Sequence, residues 1–288
     1  MTKPQAILTD ATKCIGCEKC VDACKRENHL PDDLSRSWKV RIDSLSSTRF
    51  TTVVRHDGEY VREQCRHCVQ PACVSACPVG ALQKRSDGPV VYDSDRCMGC
   101  RYCMMACPFG VPRYEWEKAV PHIKKCTMCA PRLDRGLQPA CVEACPTHAT
   151  IFGDRDELLA EAHRRLRASP ERYLQTVYGE NDVGGTSVLL IAGVPLDFLN
   201  RGRAPGDRPL PSRTWAALSK VPTIVLAVGG LAAGTWWITR RRMKLAEMNA
   251  EALPDSASGT EAHPSGDGAP QDSREAVQDK GSGSGGHR

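Results

Sequence analysis

The chain has 288 residues, enough for one or two compact domains with additional segments. All sixteen cysteines lie between Cys14 and Cys145. The net charge of +5 is uneven, because residues 245–288 hold 8 acidic and 3 basic residues and leave +10 on the first 244. Charge alone would allow a nucleic-acid partner, but no helix-turn-helix pattern or basic aromatic stripe supports one, and we expect none.

The N-terminal residues, MTKPQAILTDATKC, contain neither a long apolar run nor a twin arginine. Taken alone, this stretch predicts no independent export signal. The stretch ends with the first cysteine, Cys14, where the cysteine-rich region begins.

The sixteen cysteines form four groups of four, in the order tight, looped, tight, looped. The tight groups follow CxxCxxCxxxC and comprise Cys14, Cys17, Cys20, Cys24 and Cys97, Cys100, Cys103, Cys107. The looped groups are Cys65, Cys68, Cys73, Cys77, and then Cys126, Cys129, Cys141, Cys145, the latter with an eleven-residue insert. The closing half of each looped group is a repeated decapeptide, VQPACVSACP at 69–78 and LQPACVEACP at 137–146, identical at eight of ten positions.

This spacing is typical of iron-sulfur ligation. Three cysteines of a CxxCxxC loop can wrap one face of a 4Fe-4S cube, and the fourth cysteine, often followed by proline, ligates a second cluster. Pro78, Pro108 and Pro146 follow the last cysteine of three groups. With all four groups complete, the sequence predicts four 4Fe-4S clusters as cofactors. Spacing alone leaves open which groups pair: one with two and three with four, or the middle two with each other.

Three other uses of the cysteines are less consistent with the pattern. Regular quartets of closely spaced cysteines are poor candidates for a disulfide framework. Zinc uses separated CxxC pairs, but it does not explain the third and fourth cysteines with proline following. Covalent haem attachment is excluded because no CxxC is followed by His.

The region after the cysteines contains predicted packing elements. Residues 154–169 (DRDELLAEAHRRLRAS) predict an amphipathic helix capped by an Asp near its start, and residues 186–194 (TSVLLIAGV) predict a buried strand. Residues 201–220 are rich in Pro and Arg and predict a linker along a membrane surface.

Residues 221–239 (VPTIVLAVGGLAAGTWWIT) contain no charged side chain, and a helix of this length would span roughly 28 Å, about the thickness of a bilayer core. We therefore predict one transmembrane helix. Arg240, Arg241, Arg242 and Lys244 follow it, so the positive-inside rule predicts a cytoplasmic C-terminus and a periplasmic cysteine region. Residues 245–288 have few apolar side chains and predict a disordered tail.

The four quartets, together with residues 65–82 (CRHCVQPACVSACPVGAL), 97–114 (CMGCRYCMMACPFGVPRY) and 178–195 (YGENDVGGTSVLLIAGVP) and the C-terminal helix, resemble the iron-sulfur beta subunit of respiratory formate dehydrogenase. They resemble equally the matching subunit of membrane-bound nickel-iron hydrogenase. The wider family includes the iron-sulfur subunits of dimethyl sulfoxide, nitrate and polysulfide reductases. The lack of a twin-arginine signal favours the formate dehydrogenase type, whereas residues 65–114 are closer to the hydrogenase type.

The resemblance implies an α+β fold of two nested ferredoxin-like dicluster units and one C-terminal transmembrane helix. It implies that residues 1–152 form the four-cluster domain, with one unit made by 8–30 and 120–152 and the other by 60–115. Residues 153–200 would pack or dock against it. The implied ligand sets are Cys14, Cys17, Cys20 with Cys145; Cys126, Cys129, Cys141 with Cys24; Cys65, Cys68, Cys73 with Cys107; and Cys97, Cys100, Cys103 with Cys77.

The expected function is electron relay without catalysis, because every cysteine is assigned as a ligand and no His, Ser or carboxylate lies in a catalytic motif. The expected partners are a catalytic formate dehydrogenase or hydrogenase subunit and a membrane cytochrome b or other quinone-reactive subunit, all at the bacterial inner membrane. The equivalent subunit of a molybdopterin reductase is an alternative, as is a cytoplasm-facing reductase subunit that passes electrons in the other direction. A stand-alone ferredoxin carrier is the alternative of another class, but it would have no use for residues 221–239. Basic residues beside the ligands could influence the cluster potentials: Arg66, His67, Arg96, Arg101, Lys124 and Lys125.

Overall fold

The computed structural model describes residues 3–31, 45–200 and 206–251. The strands in this part of the chain are β1 Gln5–Asp10, β2 Thr51–His56, β3 Glu59–Gln64, β4 Leu82–Lys84, β5 Val90–Tyr92, β6 Arg113–Tyr114, β7 Ile123–Lys124, β8 Thr150–Asp154 and β9 Val188–Ile191. The α-helices are α1 Lys19–Glu27, α2 Ala72–Ser75, α3 Tyr102–Ala106, α4 Ala130–Leu133, α5 Ala140–Glu143, α6 Arg155–Ala168, α7 Leu210–Leu218 and α8 Val221–Glu251. Helices and strands are thus mixed along the chain, as the α+β prediction expected.

A three-stranded sheet joins segments that are far apart in sequence. Its order is β8-β1-β9, with β1 antiparallel to β8 and parallel to β9. Gln5 lies opposite Asp154 and Thr9 opposite Thr150, which brings the two ends of the cysteine-rich region side by side. Strand β9 adds the second predicted packing element, since Ile7 faces Val188 in register.

Helix α6 covers this sheet and completes the largest apolar core. Asp154 caps the helix by accepting hydrogen bonds from the backbone N–H groups of Asp156 and Glu157, which would otherwise lack helical partners. Leu158 and Leu166 of α6 pack on Leu8 of β1 and on β9. The helix and the strand predicted after the cysteines are therefore confirmed, the strand as four fully buried residues.

Three antiparallel hairpins connect the four cysteine groups along the chain. The β2–β3 hairpin is the longest, and the β4–β5 and β6–β7 hairpins are short. Strand β3 does not alternate between buried and exposed residues, because Val61, Arg62, Glu63 and Gln64 are all buried. A strand with charged side chains buried in succession needs polar or ionic neighbours on both faces.

The C-terminal part differs from the prediction at two boundaries. The predicted linker 201–220 contains a helix, α7, while residues 201–205 lie outside the described residues. Helix α8 starts at the predicted transmembrane segment but continues to Glu251, seven residues into the predicted disordered tail. Its last turns have good helix formers, Lys244 to Glu251 (KLAEMNAE), which explains the extension. The remaining tail, residues 252–288, lies outside the described part.

Helix α8 is long and apolar enough to cross a membrane. Its side chains are exposed, and they include Leu226 and Leu231, each about three-quarters exposed. Arg240 lies over the ring of Trp236 at 4.9 Å, and Arg241 lies over Trp237 at 5.5 Å. Aromatic rings beside arginines are typical of the boundary between lipid and water.

Candidate metal centres

The two tight cysteine groups have the same backbone. In CIGCEKC (14–20) and CMGCRYC (97–103) the residue just before the second cysteine is a glycine with positive φ, 67° at Gly16 and 73° at Gly99. A Cβ at Gly16 would lie 2.5 Å from the ring of Tyr60, so no other residue fits there. Glu18 and Arg101, just before α1 and α3, also adopt left-handed conformations. The loops are thereby coiled tightly enough to bring their cysteines together.

The repeated decapeptide forms a repeated structure. In each copy a proline precedes a four-residue helix, α2 after Pro71 and α5 after Pro139, and the helix ends at the next alanine. The fixed φ of proline and its missing N–H suit the start of a helix. Each short helix carries the third cysteine of its group, Cys73 or Cys141, and both are buried. The two looped groups therefore present their last two cysteines on the same scaffold.

Two cavities are each lined by four cysteines from two groups. The first is lined by three cysteines of the second tight group and one of the first looped group, which we name the Cys77 quartet: Cys77, Cys97, Cys100 and Cys103. The second is lined by three cysteines of the first tight group and the last cysteine of the chain, the Cys14 quartet: Cys14, Cys17, Cys20 and Cys145. In both, three thiols come from one loop and the fourth from another group.

The other eight cysteines form two further sets of neighbours. Cys24 has Cys126, Cys129 and Cys141 as its electrostatic neighbours, and we name this set the Cys24 quartet. Cys68 has Cys65, Cys73 and Cys107 as its neighbours, and this set is the Cys65 quartet. Cys24, Cys65, Cys107 and Cys126 pack together in one cluster, so these two quartets adjoin.

Burial of the thiols is the main influence on their acidity in the absence of metal. It raises the pKa of Cys20 and Cys73 to about 12 and that of Cys103 and Cys129 to about 11, with neighbouring cysteines adding to the effect. Burial likewise raises the pKa of Cys24 and Cys126. Cys145 is the exception, because burial is outweighed by hydrogen bonds from backbone N–H groups such as that of Thr150, which lower its pKa. Such thiols become thiolates when a metal takes the place of the proton.

Backbone and side-chain N–H groups point at several sulfurs. Ala81 N–H donates to Cys77 Sγ at 3.2 Å, Met128 N–H to Cys126 Sγ at 3.3 Å, and Asn28 Nδ2 to Cys24 Sγ at 3.6 Å. Donors of this kind stabilise negative charge on sulfur and help to set the potential of an iron-sulfur cluster.

The donor set fits a group larger than one metal ion. A structural zinc site needs thiolates or imidazoles about 2.0–2.3 Å from a single point. Within residues 3–31, 45–200 and 206–251, no three His, Cys, Asp or Glu side chains are arranged to hold a single ion. Four thiols that instead surround a cavity are the arrangement that a multi-iron cube requires.

The six basic residues singled out by sequence lie in different surroundings. Arg96 pairs with Asp93 at the surface, and Lys124 lies 3.8 Å from Glu115. Arg101 stacks over Tyr114 and Trp116 at 5.7 and 5.2 Å. The remaining three are buried close to the cysteines: Arg66, His67 and Lys125.

The buried three are held by specific contacts. His67 Nδ1 accepts a hydrogen bond from the Val90 N–H, and burial followed by the charges of Lys125 and Lys84 lowers the pKa of the imidazole, which therefore stays neutral. Lys125 Nζ donates to the carbonyl oxygens of Val90 and Cys126. Arg66 lies over the ring of Phe109 at 5.6 Å.

Sequence reasoning missed two cations near the cysteines, the partly buried Lys84 and the buried Arg62. Lys84 Nζ donates to the carbonyl oxygens of His67 and Gly88, and burial lowers its pKa to about 8. Arg62 on β3 lines the cavity of the Cys14 quartet. No motif marked either residue, although the run REQC before the second group could have shown that a charged strand leads directly into the ligands.

Comparison with known proteins shows that this arrangement of cysteines belongs to iron-sulfur proteins. The chain matches a family described as a 4Fe-4S dicluster domain over residues 10–82 and a second family of the same description over residues 56–155. It is 39% identical over 235 residues to the hydrogenase-2 operon protein HybA of Escherichia coli O157:H7, covering 67% of this chain and 71% of that protein.

Two other relatives belong to different complexes. The chain is 34% identical over 244 residues to the formate dehydrogenase iron-sulfur subunit of Haemophilus influenzae, covering 79% of this chain and 77% of the relative. It is 41% identical over 170 residues to the probable anaerobic dimethyl sulfoxide reductase protein YnfG of Escherichia coli K12, covering 58% of this chain and 82% of the relative. The chain therefore belongs to the family of non-catalytic iron-sulfur electron-transfer subunits of oxidoreductase complexes, and it carries four 4Fe-4S clusters in two dicluster domains.

Proposed function

We propose that the chain relays electrons between a catalytic oxidoreductase subunit and a quinone-reactive membrane subunit, such as a cytochrome b. The main observation in support is that thiols from different cysteine groups converge around two cavities. Cysteines of the other two quartets pack together in one cluster. The clusters supply one-electron redox chemistry, and the protein sets their spacing, burial and hydrogen bonds.

We assign the four ligand sets to the four quartets: Cys14, Cys17, Cys20, Cys145; Cys24, Cys126, Cys129, Cys141; Cys65, Cys68, Cys73, Cys107; and Cys77, Cys97, Cys100, Cys103. The lining of the two cavities and the electrostatic neighbours of Cys24 and Cys68 support this assignment. It corresponds to two nested ferredoxin-like units, one closed by the pairing of β1 with β8. Residues 1–152 would then form the cluster domain and residues 153–200 a packing segment around α6 and β9.

Contacts between quartets support a linear series. Cys103 packs with Cys73, which links the Cys77 quartet to the Cys65 quartet. Cys65 packs with Cys126, which links the Cys65 quartet to the Cys24 quartet. Cys20 packs against Cys141, which links the Cys24 quartet to the Cys14 quartet. The order is therefore Cys77, Cys65, Cys24, Cys14, with a partially exposed quartet at each end for exchange with a partner.

We place α8 in the bacterial inner membrane, with the cluster domain in the periplasm and the C-terminus in the cytoplasm. The length and apolar surface of the helix support the anchor, and the arginines at 240–242 support the direction under the positive-inside rule. A stand-alone ferredoxin carrier would have no use for such a helix.

Two catalytic partners fit the proposal. A formate dehydrogenase subunit is favoured by the extent of the similarity, since the match with the formate dehydrogenase iron-sulfur subunit covers 79% of this chain. A nickel-iron hydrogenase is the second candidate, favoured by the higher identity of 39% with HybA over 67% of this chain.

Anaerobic purification of the complex from its native membrane tests the relay. We expect about sixteen iron atoms per chain, four for each cluster. Molybdenum or tungsten in the copurifying large subunit would identify the formate dehydrogenase type, and nickel the hydrogenase type. Zinc in place of iron would refute the proposal.

A reporter fused after Glu251, the last described residue of α8, tests the orientation. An enzyme that is active only in the cytoplasm should be active in this fusion, whereas one that is active only in the periplasm should not. The reverse result would place the cluster domain in the cytoplasm.

A further inference from the structure

Arg62 is a buried cation that lines the cavity of the Cys14 quartet and interacts electrostatically with cysteines of the Cys24 quartet. It lies on β3 opposite Val53 of β2, and both residues line the cavity of the Cys14 quartet. Only 3% of its surface is exposed. The charged end of a long side chain normally reaches water, so an arginine held this deeply needs compensation from its surroundings.

The compensation does not come from a carboxylate or carbonyl group. In the described part of the chain, Arg62 Nε, Nη1 and Nη2 have no hydrogen-bond partner. Burial lowers the pKa of the guanidinium, but its neighbours Cys141, Cys20 and Cys126 raise it more if they are thiolates. The contact with Cys141 falls short of a regular hydrogen bond.

Other buried or partly buried cations near the cysteines are compensated differently. Lys84 and Lys125 donate to backbone carbonyl oxygens. Arg66 interacts electrostatically with the carboxylates of Asp182 and Glu63. The groups that act most on the charge of Arg62 are sulfurs of the Cys24 and Cys14 quartets. An unpaired buried charge is strongly unfavourable, so this position makes sense only where the neighbouring cysteines are thiolate ligands of an anionic cluster.

A 4Fe-4S cluster with four thiolate ligands carries a net negative charge, and that charge grows by one when the cluster is reduced. Two such clusters side by side repel each other, and each reduction opposes the next. A fixed cation near both favours the reduced form of each, because net local charge is one of the factors that set cluster potentials.

We infer that Arg62 is the shared counter-ion of the two clusters held by the Cys14 and Cys24 quartets, and that its charge raises the reduction potential of both. This inference rests on the ligand sets of the proposed function. Arg62 is a positioning and tuning residue, and it does not ligate iron.

The test is a redox titration of the purified complex followed by electron paramagnetic resonance, with iron counted per chain. Arg62→Met removes the charge and keeps an apolar side chain of similar length, Arg62→Gln is a second neutral variant, and Arg62→Lys keeps the charge. In either neutral variant we expect the equilibrium constant for one-electron reduction to fall at least tenfold for two of the four clusters. Each of their midpoint potentials then falls by about 59 mV or more. Arg62→Lys should stay within about threefold of the wild type.

Arg66→Met is the matched control, because Arg66 is also a buried arginine but lies by Cys65 and Cys68 with carboxylates nearby. It should leave the two potentials that depend on Arg62 unchanged. Neutral Arg62 variants with full iron and unshifted potentials would overturn the inference, as would a Lys variant shifted as far as they are.

Loss of iron is also informative. If both neutral variants lose iron and Arg62→Lys keeps it, positive charge is required to hold the clusters, which supports the inference. If Arg62→Lys loses iron as well, the side chain acts through its shape and the inference is wrong. Failure of the proposed function would look different, because the wild-type complex itself would then lack 4Fe-4S signals.

Discussion

The two ends of the cluster series differ from its middle. In the Cys14 quartet all four cysteines are partly exposed, and in the Cys77 quartet only Cys103 is buried. In the Cys24 quartet all four are buried, and in the Cys65 quartet only Cys68 is not. The difference indicates two roles. The partly exposed quartets at the ends can exchange electrons with other subunits, whereas the buried quartets in the middle are shielded from solvent.

Buried positive charge lies beside both middle quartets and reaches one end of the series. Lys125 and Arg66 lie beside the Cys65 quartet, and Arg62 lies beside the Cys24 quartet and also lines the cavity of the Cys14 quartet. Buried clusters lack water to stabilise the electron that they accept, so nearby cations take over that role. At the other end, beside Cys97, Arg96 pairs with the carboxylate of Asp93 at the surface.

The largest expected effect comes from removing one ligand in each region. Cys129→Ala in the buried Cys24 quartet should leave well under three-quarters of the wild-type iron, because an open cavity in the middle also weakens the adjoining quartets. Cys97→Ala in the Cys77 quartet should leave about three-quarters, since only one of four clusters loses a ligand. Iron per chain and protease resistance measure both. Equal losses would contradict the difference between ends and middle.

The next effect concerns the sheet that supports one end. Leu8→Ala removes a fully buried side chain of β1 and should destabilise the fold by about 2–5 kcal/mol. Because β1 leads into Cys14 and β8 follows Cys145, the Cys14 quartet should lose its iron first on heating. Thermal unfolding with iron release measures this. The exposed Leu137→Ala is the control and should change stability by at most about 0.5 kcal/mol.

A smaller effect is expected from the buried lysine of the middle. Lys125→Met leaves the carbonyl oxygens of Val90 and Cys126 without this donor, which should cost about 1–3 kcal/mol. It should also lower the potential of the cluster near Cys73, on which Lys125 acts. The adjacent Lys124→Met is a matched control, because Lys124 is one-third exposed and pairs with Glu115. Identical results for the two lysines would show that burial does not matter here.

The smallest expected difference needs no substitution. When the wild-type complex is exposed to an iron chelator, the signals of the two end clusters should decay a few-fold faster than those of the middle clusters, because Cys14, Cys17, Cys97 and Cys100 are partly exposed. Electron paramagnetic resonance at intervals follows the four signals. Uniform decay would show that global opening, and not local exposure, limits the loss.

The sequence was most informative where chemistry requires a fixed spacing. The four cysteine groups, the cofactor, the capped α6 and the buried β9 could all be predicted, because ligand spacing and apolar periodicity leave few alternatives. The pairing of groups could not be derived this way, since Cys14 and Cys145 meet only through the β1–β8 pairing. The resemblance supplied the ligand sets, and they stay a prediction that the cavities support.

The cations near the cysteines were harder to predict than the ligands. Arg62 and Lys84 carry no motif, and their roles depend on which neighbours the folded chain brings to them. The extension of α8 to Glu251, past the predicted segment 221–239, was also not predicted. The loss of hydrophobicity after residue 239 marks the end of the apolar surface, whereas the helix itself continues as long as its residues favour helix.

The position of Cys145 beside Cys14 also constrains biosynthesis. On the proposed ligand sets, the Cys65 and Cys77 quartets are complete in the nascent chain once Cys107 has left the ribosome, whereas the first three cysteines of the chain wait for the last. At about 5–20 residues per second, the remaining 38 residues from Cys107 to Cys145 take several seconds. Throughout that interval Cys14, Cys17 and Cys20 lack their fourth ligand. The part of the chain that is synthesised first is therefore the last to receive its cluster.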